Sequence, residues 1–360
     1  MRPEAMMTKN NAATVKARPG PSDIFRCAVC RGEVDRAGPG GPCSNCQSPI
    51  GIIGGQIVDF LGNAGPAAGG MLRWPAGLTG RLGPLLEQVD SGGLSPADAL
   101  AELEALGLAG PGPSLTALGR KVRYQLLEHE WQAGDGQFQS CMDLVDLGPG
   151  SRVLDIGCGA GQTLRLLNDR SPSLRVGVDY DAEVLALGHL AADDEGQSIE
   201  FGRATGHALP FLDGQFTHVL CRVALNYMHQ RRALAEMIRV LEPGGFLYLR
   251  IERVWYDLRL LSRTRSTRGA ICRLRDLGYG LAHTATGWQP MPGRRASGGR
   301  IFATLGGLSR QLGREHLEIL RSEESERCPR YLGLSTQGIL LARRHPRPAP
   351  EAGEVTSWSN

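Results

Sequence analysis

One stretch of the chain, residues 153–163, restricts the possible folds more than any other. It reads Val-Leu-Asp-Ile-Gly-Cys-Gly-Ala-Gly-Gln-Thr, an apolar strand that meets three glycines and then opens a helix. Glycines are needed where the backbone turns sharply or lies against a ligand, because a Cβ would clash there. An acid at the end of such a strand, here Asp155, marks the crevice where α/β sheets bind nucleotides. The spacing is not the Gly-x-Gly-x-x-Gly of dinucleotide-binding proteins, which disfavours a nicotinamide-dependent dehydrogenase.

A second acid follows at the spacing of a ribose-binding carboxylate. Residues 174–179 form another apolar segment, which ends at Asp179, 24 positions after Asp155. In nucleotide-binding sheets an acid about 20 residues after the first turn hydrogen-bonds the ribose hydroxyls. Asp179 also suits a second role, as the N-cap of the helix that follows it.

Two further sequence motifs follow the glycine turn and Asp179. Residues 208–220 read Ala-Leu-Pro-Phe-Leu-Asp-Gly-Gln-Phe-Thr-His-Val-Leu, and residues 239–245 read Arg-Val-Leu-Glu-Pro-Gly-Gly. With the glycine turn and Asp179, they resemble the ordered motifs of class I S-adenosylmethionine (SAM)-dependent methyltransferases, over roughly residues 140–251. The resemblance implies SAM as co-substrate.

The resemblance also implies roles for individual residues. The three glycines would let the backbone approach the methionine part of SAM, and Asp179 would take the ribose hydroxyls. Where the family often has an acid that binds the adenine amino group, this chain has Thr205, a weaker acceptor. The implied cofactor-binding residues are Asp155, Gly157, Gly159, Gly161, Asp179, Tyr180, Thr205, Gly206, His207 and Cys221.

The segment after the fourth strand, residues 221–229, is where the family places groups that act on the methyl acceptor. Tyr227 and His229 are the candidates for catalysis in this segment. An oxygen nucleophile benefits from a general base, which a histidine supplies near neutral pH. A histidine here is also an ordinary polar residue at the start of a helix.

The order of strands and helices predicts an α/β fold. Between residues 151 and 251, apolar strand segments alternate with helical segments, which demands a mostly parallel, doubly wound sheet with helices on both faces. Residues 316–322 and 337–343 read as two last strands that form an antiparallel end hairpin. We therefore expect a seven-stranded Rossmann-like methyltransferase sheet.

Four cysteines near the N-terminus predict a metal site. Cys27 and Cys30, then Cys43 and Cys46, form two Cys-x-x-Cys units with twelve residues between them. Two such units aim four thiolates at one tetrahedral centre, which favours structural Zn²⁺. A disulfide pair or a redox dithiol is the alternative. The segment resembles the zinc-ribbon leader of several bacterial methyltransferases, including ribosomal RNA guanine methyltransferases.

The composition of successive segments suggests a domain division. We expect disorder at 1–22 and 345–360, a zinc ribbon at 23–61, a linker at 62–80, a helical segment at 81–139 and the methyltransferase domain at 140–344. Within that domain, 252–312 is an insertion or lid. Between residues 250 and 300 it holds 11 arginines against three acids, with interleaved aromatics. This pattern fits single-stranded RNA, a lid over an anionic substrate or a solvated surface.

The bulk composition places the chain among ordinary globular proteins. Its 360 residues are 41% hydrophobic and 21% charged, with a net charge of +3. No apolar run approaches a membrane span, and residues 1–23 lack the apolar core of a secretory signal. We expect a cytoplasmic protein with no membrane partner.

Three functions remain open on the sequence. The first is methyl transfer from SAM to a small molecule, and the second is methylation of ribosomal or transfer RNA held by the ribbon and the arginine-rich insertion. The third is a SAM-fold protein that binds a partner without catalysis. The sequence leaves the acceptor atom and the oligomeric state undetermined.

Overall fold

The structure, a computed structural model, describes residues 24–34, 42–53, 56–61, 77–93, 97–110, 112–289 and 300–346. The disorder expected for 1–22 lies outside these residues, as do 62–76 of the expected linker and all but two residues of the expected C-terminal tail.

Eleven strands and ten α-helices occur within the described ranges. The strands are β1 (Gly51–Ile53), β2 (Ile57–Asp59), β3 (Arg152–Ile156), β4 (Leu174–Asp179), β5 (Glu200–Arg203), β6 (Phe216–Arg222), β7 (Leu241–Glu252), β8 (Leu317–Glu324), β9 (Arg330–Tyr331), β10 (Leu334–Ser335) and β11 (Gln337–Arg344). The helices are α1 (Leu78–Asp90), α2 (Ala97–Ala105), α3 (Ala117–Ala133), α4 (Gly136–Leu144), α5 (Gln162–Leu166), α6 (Ala182–Asp194), α7 (Gln230–Val240), α8 (Val254–Arg263), α9 (Thr267–Thr286) and α10 (Leu305–Arg314).

The main sheet confirms the expected α/β class. Its strand order is β1-β2-β5-β4-β3-β6-β7-β11-β8. The pairs from β2 to β7 are parallel, whereas β11 runs antiparallel to both β7 and β8, as the predicted end hairpin requires. Buried apolar side chains form clusters on both faces, which matches a doubly wound sheet.

The sheet has nine strands rather than the expected seven, because the N-terminal segment extends it. Strand β2 pairs in parallel with β5, so that Val58 lies opposite Gly202, and β1 then pairs antiparallel with β2. Without β2, the backbone groups along the outer edge of β5 would lack strand partners. The cysteine-rich segment is therefore continuous with the main sheet.

Side chains beside the cysteines strengthen this attachment. The Phe25 ring is fully buried and packs against the rings of Phe60 and Phe211, with centroids 5.6 and 5.5 Å away. The Arg31 guanidinium donates to the carbonyl oxygens of Leu209 and Phe211 at 2.9 and 3.0 Å. The segment thus packs directly on the loop that precedes β6.

Helices lie before the glycine turn, where the sequence predicts a linker and a helical segment. Helix α3 lies within the helical segment expected at 81–139 and is capped by the Thr116 hydroxyl, which accepts a hydrogen bond from the Gly119 N–H. The expected linker at 62–80, by contrast, ends inside α1, which begins at Leu78. Buried leucines at three-to-four-residue spacing hold α1 to the core, although its first turn is rich in glycine and threonine.

The insertion at 252–312 contains helices α8 and α9 and most of α10. Part of its positive charge is paired internally, since Arg273 and Arg275 lie beside Asp276, and Arg300 bridges Glu252 to Asp257. None of the helices in the described ranges has the length and apolar character needed to cross a bilayer.

Candidate functional site

A cavity of about 420 Å³ opens at the carboxyl ends of β3, β4, β6 and β7. This edge is where parallel α/β sheets bind ligands. The side chains and backbone around it come from the glycine turn, from α3, from the segment after β6 and from the insertion. The lining residues include Tyr124, Gln125, Trp131, Asp155, Gly157, Gly159, Asp179, Arg222, Tyr227, Glu252, Tyr256 and Gln337.

The glycine turn forms one wall of the cavity and has a left-handed backbone. Gly157, Gly159 and Gly161 have φ values of 74°, 57° and 67°, a region that residues with a Cβ rarely adopt. A Cβ on Gly157 would clash with the Cβ of Ala224. A Cβ on Gly161 would lie 2.8 Å from the Phe201 ring, so this glycine serves packing rather than the cavity.

Asp179 lies at the end of β4 and faces the glycine turn. One carboxylate oxygen accepts the Gly159 N–H at 3.0 Å, and the other accepts the Asp181 N–H at 2.9 Å. Each carboxylate oxygen has a second lone pair, so both can also accept hydroxyl groups. The helix that follows is capped by Asp181 rather than Asp179.

Asp155 is 2% exposed, and its Oδ1 has no hydrogen-bond partner in the described part of the chain. Burial raises the pKa of Asp155 to about 7, although the positive charge of Arg222 lowers it. A buried oxygen without a partner is costly, which indicates that a ligand or water completes its bonding.

Other residues expected at the cofactor do not line the cavity. The Thr205 hydroxyl accepts the His207 N–H at 3.2 Å, and the His207 Nε2 accepts the His229 N–H at 2.8 Å. Gly206 packs closely on Met228, whose sulfur would lie 2.6 Å from an added Cβ. Among the remaining candidates, Cys221 is fully buried within the sheet and Tyr180 is 48% exposed.

The two expected catalytic residues differ in position. Tyr227 lines the cavity, in a short 3₁₀ turn at Ala224–Tyr227. His229 does not line it and instead occupies the N-cap position of α7. The structure thus brings Tyr227, but not His229, to the same space as Asp155 and Asp179.

Glu252, the last residue of β7, lines the cavity and was not foreseen from the sequence. Its side chain is 4% exposed and pairs with Arg300, which also contacts Asp257. Burial raises the pKa of Glu252 to about 7, even though Arg300 lowers it. A carboxyl group with such a pKa can accept a proton near neutral pH.

A buried cluster of one aspartate and two arginines lies at the end of β6. Asp135, the N-cap of α4, pairs with Arg222 at 2.7 Å and also with Arg250. The guanidinium of Arg222 lies over the Phe138 ring, and that of Arg250 lies over the Trp131 ring. Sequence reasoning missed this cluster, because Asp135 is 87 and 115 positions away from the two arginines.

The four N-terminal cysteines converge on one point. Their sulfur atoms all lie within 4.8 Å of one another, and the Cys27–Cys46 and Cys30–Cys43 distances are both 3.6 Å. Four ligands about 2.3 Å from a zinc ion would be about 3.8 Å apart, which these distances match. None of the nine cysteines, all within the described ranges, forms a disulfide, so the cluster is compatible with zinc.

The two cysteine turns share one backbone arrangement. The Cys27 N–H donates to the Gly32 carbonyl, and the Cys43 N–H donates to the Ser48 carbonyl. The residue after each second cysteine, Arg31 or Gln47, has a positive φ. The repeated turn directs both cysteine pairs at a common centre.

Comparison with known proteins connects these features to a family. Residues 154–249 match the family described as "Methyltransferase domain". The demethylmenaquinone methyltransferase of Thermus thermophilus is 37% identical over 98 residues, which cover 27% of this chain and 44% of that protein. The ubiquinone/menaquinone biosynthesis C-methyltransferase UbiE of Bordetella avium is 36% identical over 155 residues, which cover 39% and 60%.

A solved structure is also similar. The S-adenosylmethionine-dependent methyltransferase of Mesorhizobium loti has a TM-score of 0.43 and 21% identity, and the match covers 59% of this chain and 99% of that one. The chain spans about half the length of the curated relatives that it matches. From the glycine turn, the two acids beside it and the family match, we conclude that the chain contains a class I S-adenosylmethionine-dependent methyltransferase domain.

Proposed function

We propose that the protein transfers a methyl group from SAM to a small-molecule acceptor within the 420 Å³ cavity. One observation carries the proposal. The glycine turn, Asp155 and Asp179 share this cavity with Tyr227 and Glu252, so that donor-binding and acceptor-facing groups meet in one space. The names of the quinone methyltransferase relatives support a small-molecule acceptor.

The sheet order supports binding of SAM, the methyl donor, at the neighbouring ends of β3 and β4. Asp179 on β4 would accept the ribose hydroxyls, and the turn at Gly157 and Gly159 would contact the methionine part through its backbone. Asp155 would reach the amino group through water, which would satisfy its unpartnered Oδ1. SAM supplies an activated methyl group, and the protein contributes alignment and exclusion of water.

The acceptor side would use β6, β7 and the insertion. We propose Glu252 as the proton acceptor for an acceptor hydroxyl, because it is buried and its pKa is about 7. Tyr227 and Tyr256 would border the acceptor, since both line the cavity. The expected role of His229 as a general base is not supported, because His229 does not line this space.

The cysteine cluster would hold Zn²⁺ in a structural role. Four thiolates fill a tetrahedral coordination sphere, so no position is left for a substrate. We propose that the ion stabilises residues 24–61 against the edge of the sheet. The domain division at 23–61 and 140–344 is then a division of sequence, since β2 belongs to the same sheet.

Methylation of RNA is the second candidate. Arg263, Arg265 and Arg268 are exposed at the junction of α8 and α9, and none forms an ion pair within the described residues. Such arginines are the groups that contact phosphates, and RNA binding through them would weaken steeply with salt. Binding of transfer or ribosomal RNA that persists at low salt and falls steeply at high salt would favour this candidate. Turnover of a low-mass acceptor that is insensitive to salt would favour the first.

The decisive experiment is a titration with SAM and S-adenosylhomocysteine by calorimetry. The wild-type protein should bind both, and Asp179→Ala should bind them about 10- to 100-fold more weakly, because it loses charge-assisted hydrogen bonds to the ribose. Asp213→Ala is the matched control, since Asp213 is an exposed aspartate whose one ion pair among the described residues is with Arg239. Equal affinity of wild type and Asp179→Ala would refute the assignment of the donor site.

A further inference from the structure

Arg222 has buried hydrogen-bonding capacity that the described part of the protein does not use. Its side chain is 4% exposed, and its Nη2 donates to Asp135 at 2.7 Å. Its Nε and Nη1 are buried and have no hydrogen-bond partner there. Leaving a charged donor buried and unsatisfied is costly, so we expect this guanidinium to have a further hydrogen-bond partner.

The charges around Arg222 indicate the sign of that partner. Asp135 is the only carboxylate paired with Arg222 in the described residues, and it is shared with Arg250. Arg250 is otherwise bonded to neutral groups, among them Gln337 and Ser325. Asp155 compensates only in part, because burial raises its pKa to about 7. Positive charge is therefore left in excess, and a buried charge is stable only when it is compensated.

The position of Arg222 separates it from the part of the cavity assigned to adenosine. In the strand order β5-β4-β3-β6-β7, Asp179 ends β4, and the glycine turn follows β3. Arg222 is the last residue of β6, on the other side of β3. In the strand register it lies beside Arg250 of β7. The neighbouring part of the wall consists of Tyr227 and Glu252, which face the acceptor in the proposed function.

We infer that Arg222 binds an anionic oxygen of the methyl acceptor, so that the acceptor is a small molecule with a carboxylate, a phenolate or an enolate group. The inference rests on the proposed function and specifies its substrate class. The guanidinium keeps N–H groups on Nε and Nη1 unused, and each can donate a charge-assisted hydrogen bond to such an oxygen. Phe138 beneath the guanidinium and Asp135 beside it hold the plane in place.

The test measures anion binding to protein saturated with S-adenosylhomocysteine. The probes are benzoate and 4-nitrophenolate, each compared with a neutral counterpart, benzamide and 4-nitroanisole. Wild-type protein should bind the anions more tightly than the neutral probes. Arg222→Met should lose about 10- to 100-fold in affinity for the anions only, the range for a charge-assisted hydrogen bond, and Arg222→Lys should recover part of it.

Controls separate this inference from its alternatives. Arg152→Met removes a partly exposed arginine at the start of β3, away from the cavity, and should change nothing. Asp135 keeps Arg250 as a partner in Arg222→Met, so the fold should persist, as circular dichroism would show. Failure of wild-type protein to bind S-adenosylhomocysteine would refute the proposed function itself.

Two results would overturn the inference while leaving the proposed function intact. In the first, neither anion binds more tightly than its neutral counterpart, or Arg222→Met binds the anions as wild type does. In the second, Arg222→Met weakens binding of S-adenosylhomocysteine but not of 5′-methylthioadenosine, which lacks the methionine carboxylate. That outcome would assign Arg222 to the cofactor rather than to the acceptor.

Discussion

Phe25→Ala should destabilise the whole methyltransferase sheet, although Phe25 lies beside the cysteine cluster. The ring is fully buried between Phe60 and Phe211, and Gly202 of β5 is so close that an added Cβ would lie 2.7 Å from it. The lost transfer free energy is about 2.5 kcal/mol. A residual cavity of about 100 Å³ adds about 2 kcal/mol, for a total of about 4 to 5 kcal/mol.

The assay is thermal unfolding by calorimetry, with urea unfolding as a second measure. A loss of about 4 to 5 kcal/mol should lower the melting temperature by about 8–20 °C in a domain of this size. Because β2 and β5 share hydrogen bonds, we expect one transition that moves as a whole. Val29→Ala, in the same segment but 70% exposed, should change stability by less than about 0.5 kcal/mol. A separate early transition, with the main one unmoved, would refute the attachment.

Three further predictions follow from the site and the metal cluster. Gly157→Ala should abolish S-adenosylhomocysteine binding in a calorimetric titration, because its Cβ clashes with Ala224, whereas Gly196→Ala, with a similar φ but open space, should keep it. Burial raises the pKa of Asp155 to about 7, so the folded protein holds a proton that the unfolded chain releases near pH 4. The free energy of unfolding should therefore fall as the pH rises from about 4 to about 7. Urea unfolding should show a smaller fall in Asp155→Asn. Cys27→Ser should lose bound zinc by metal analysis and unfold at lower temperature, and unchanged metal content and stability would contradict the zinc assignment.

The part of the site that was predictable from sequence is the part encoded locally. The glycine turn and its Asp155 lie within one short stretch, and their strand–turn–helix geometry follows from the residues themselves. Asp179 was predictable because parallel strands bring their carboxyl ends to one edge. His229, a candidate base on the sequence, does not line the cavity, because sequence distance from β6 does not fix the direction of a side chain at a helix start.

The missed residues depend on contacts between distant segments. Arg222 acquires its setting from Asp135, and Glu252 from Arg300, 87 and 48 positions away. No local pattern marks such a pair. That β1 and β2 join the main sheet was not foreseen for the same reason. Three-residue strands next to a cysteine turn carry little periodicity, and they gain their place from the open edge of β5.

The pairing of Asp59 with Arg203 joins residues 144 positions apart. During synthesis, residues 57–59 therefore leave the ribosome long before the strand that they will border exists. Contacts between such remote segments slow folding, because a long loop must close before they form. Until residues 202 and 211 have been made, the Phe25 ring lacks two of the neighbours that bury it, so the N-terminal segment keeps an apolar surface exposed through most of translation.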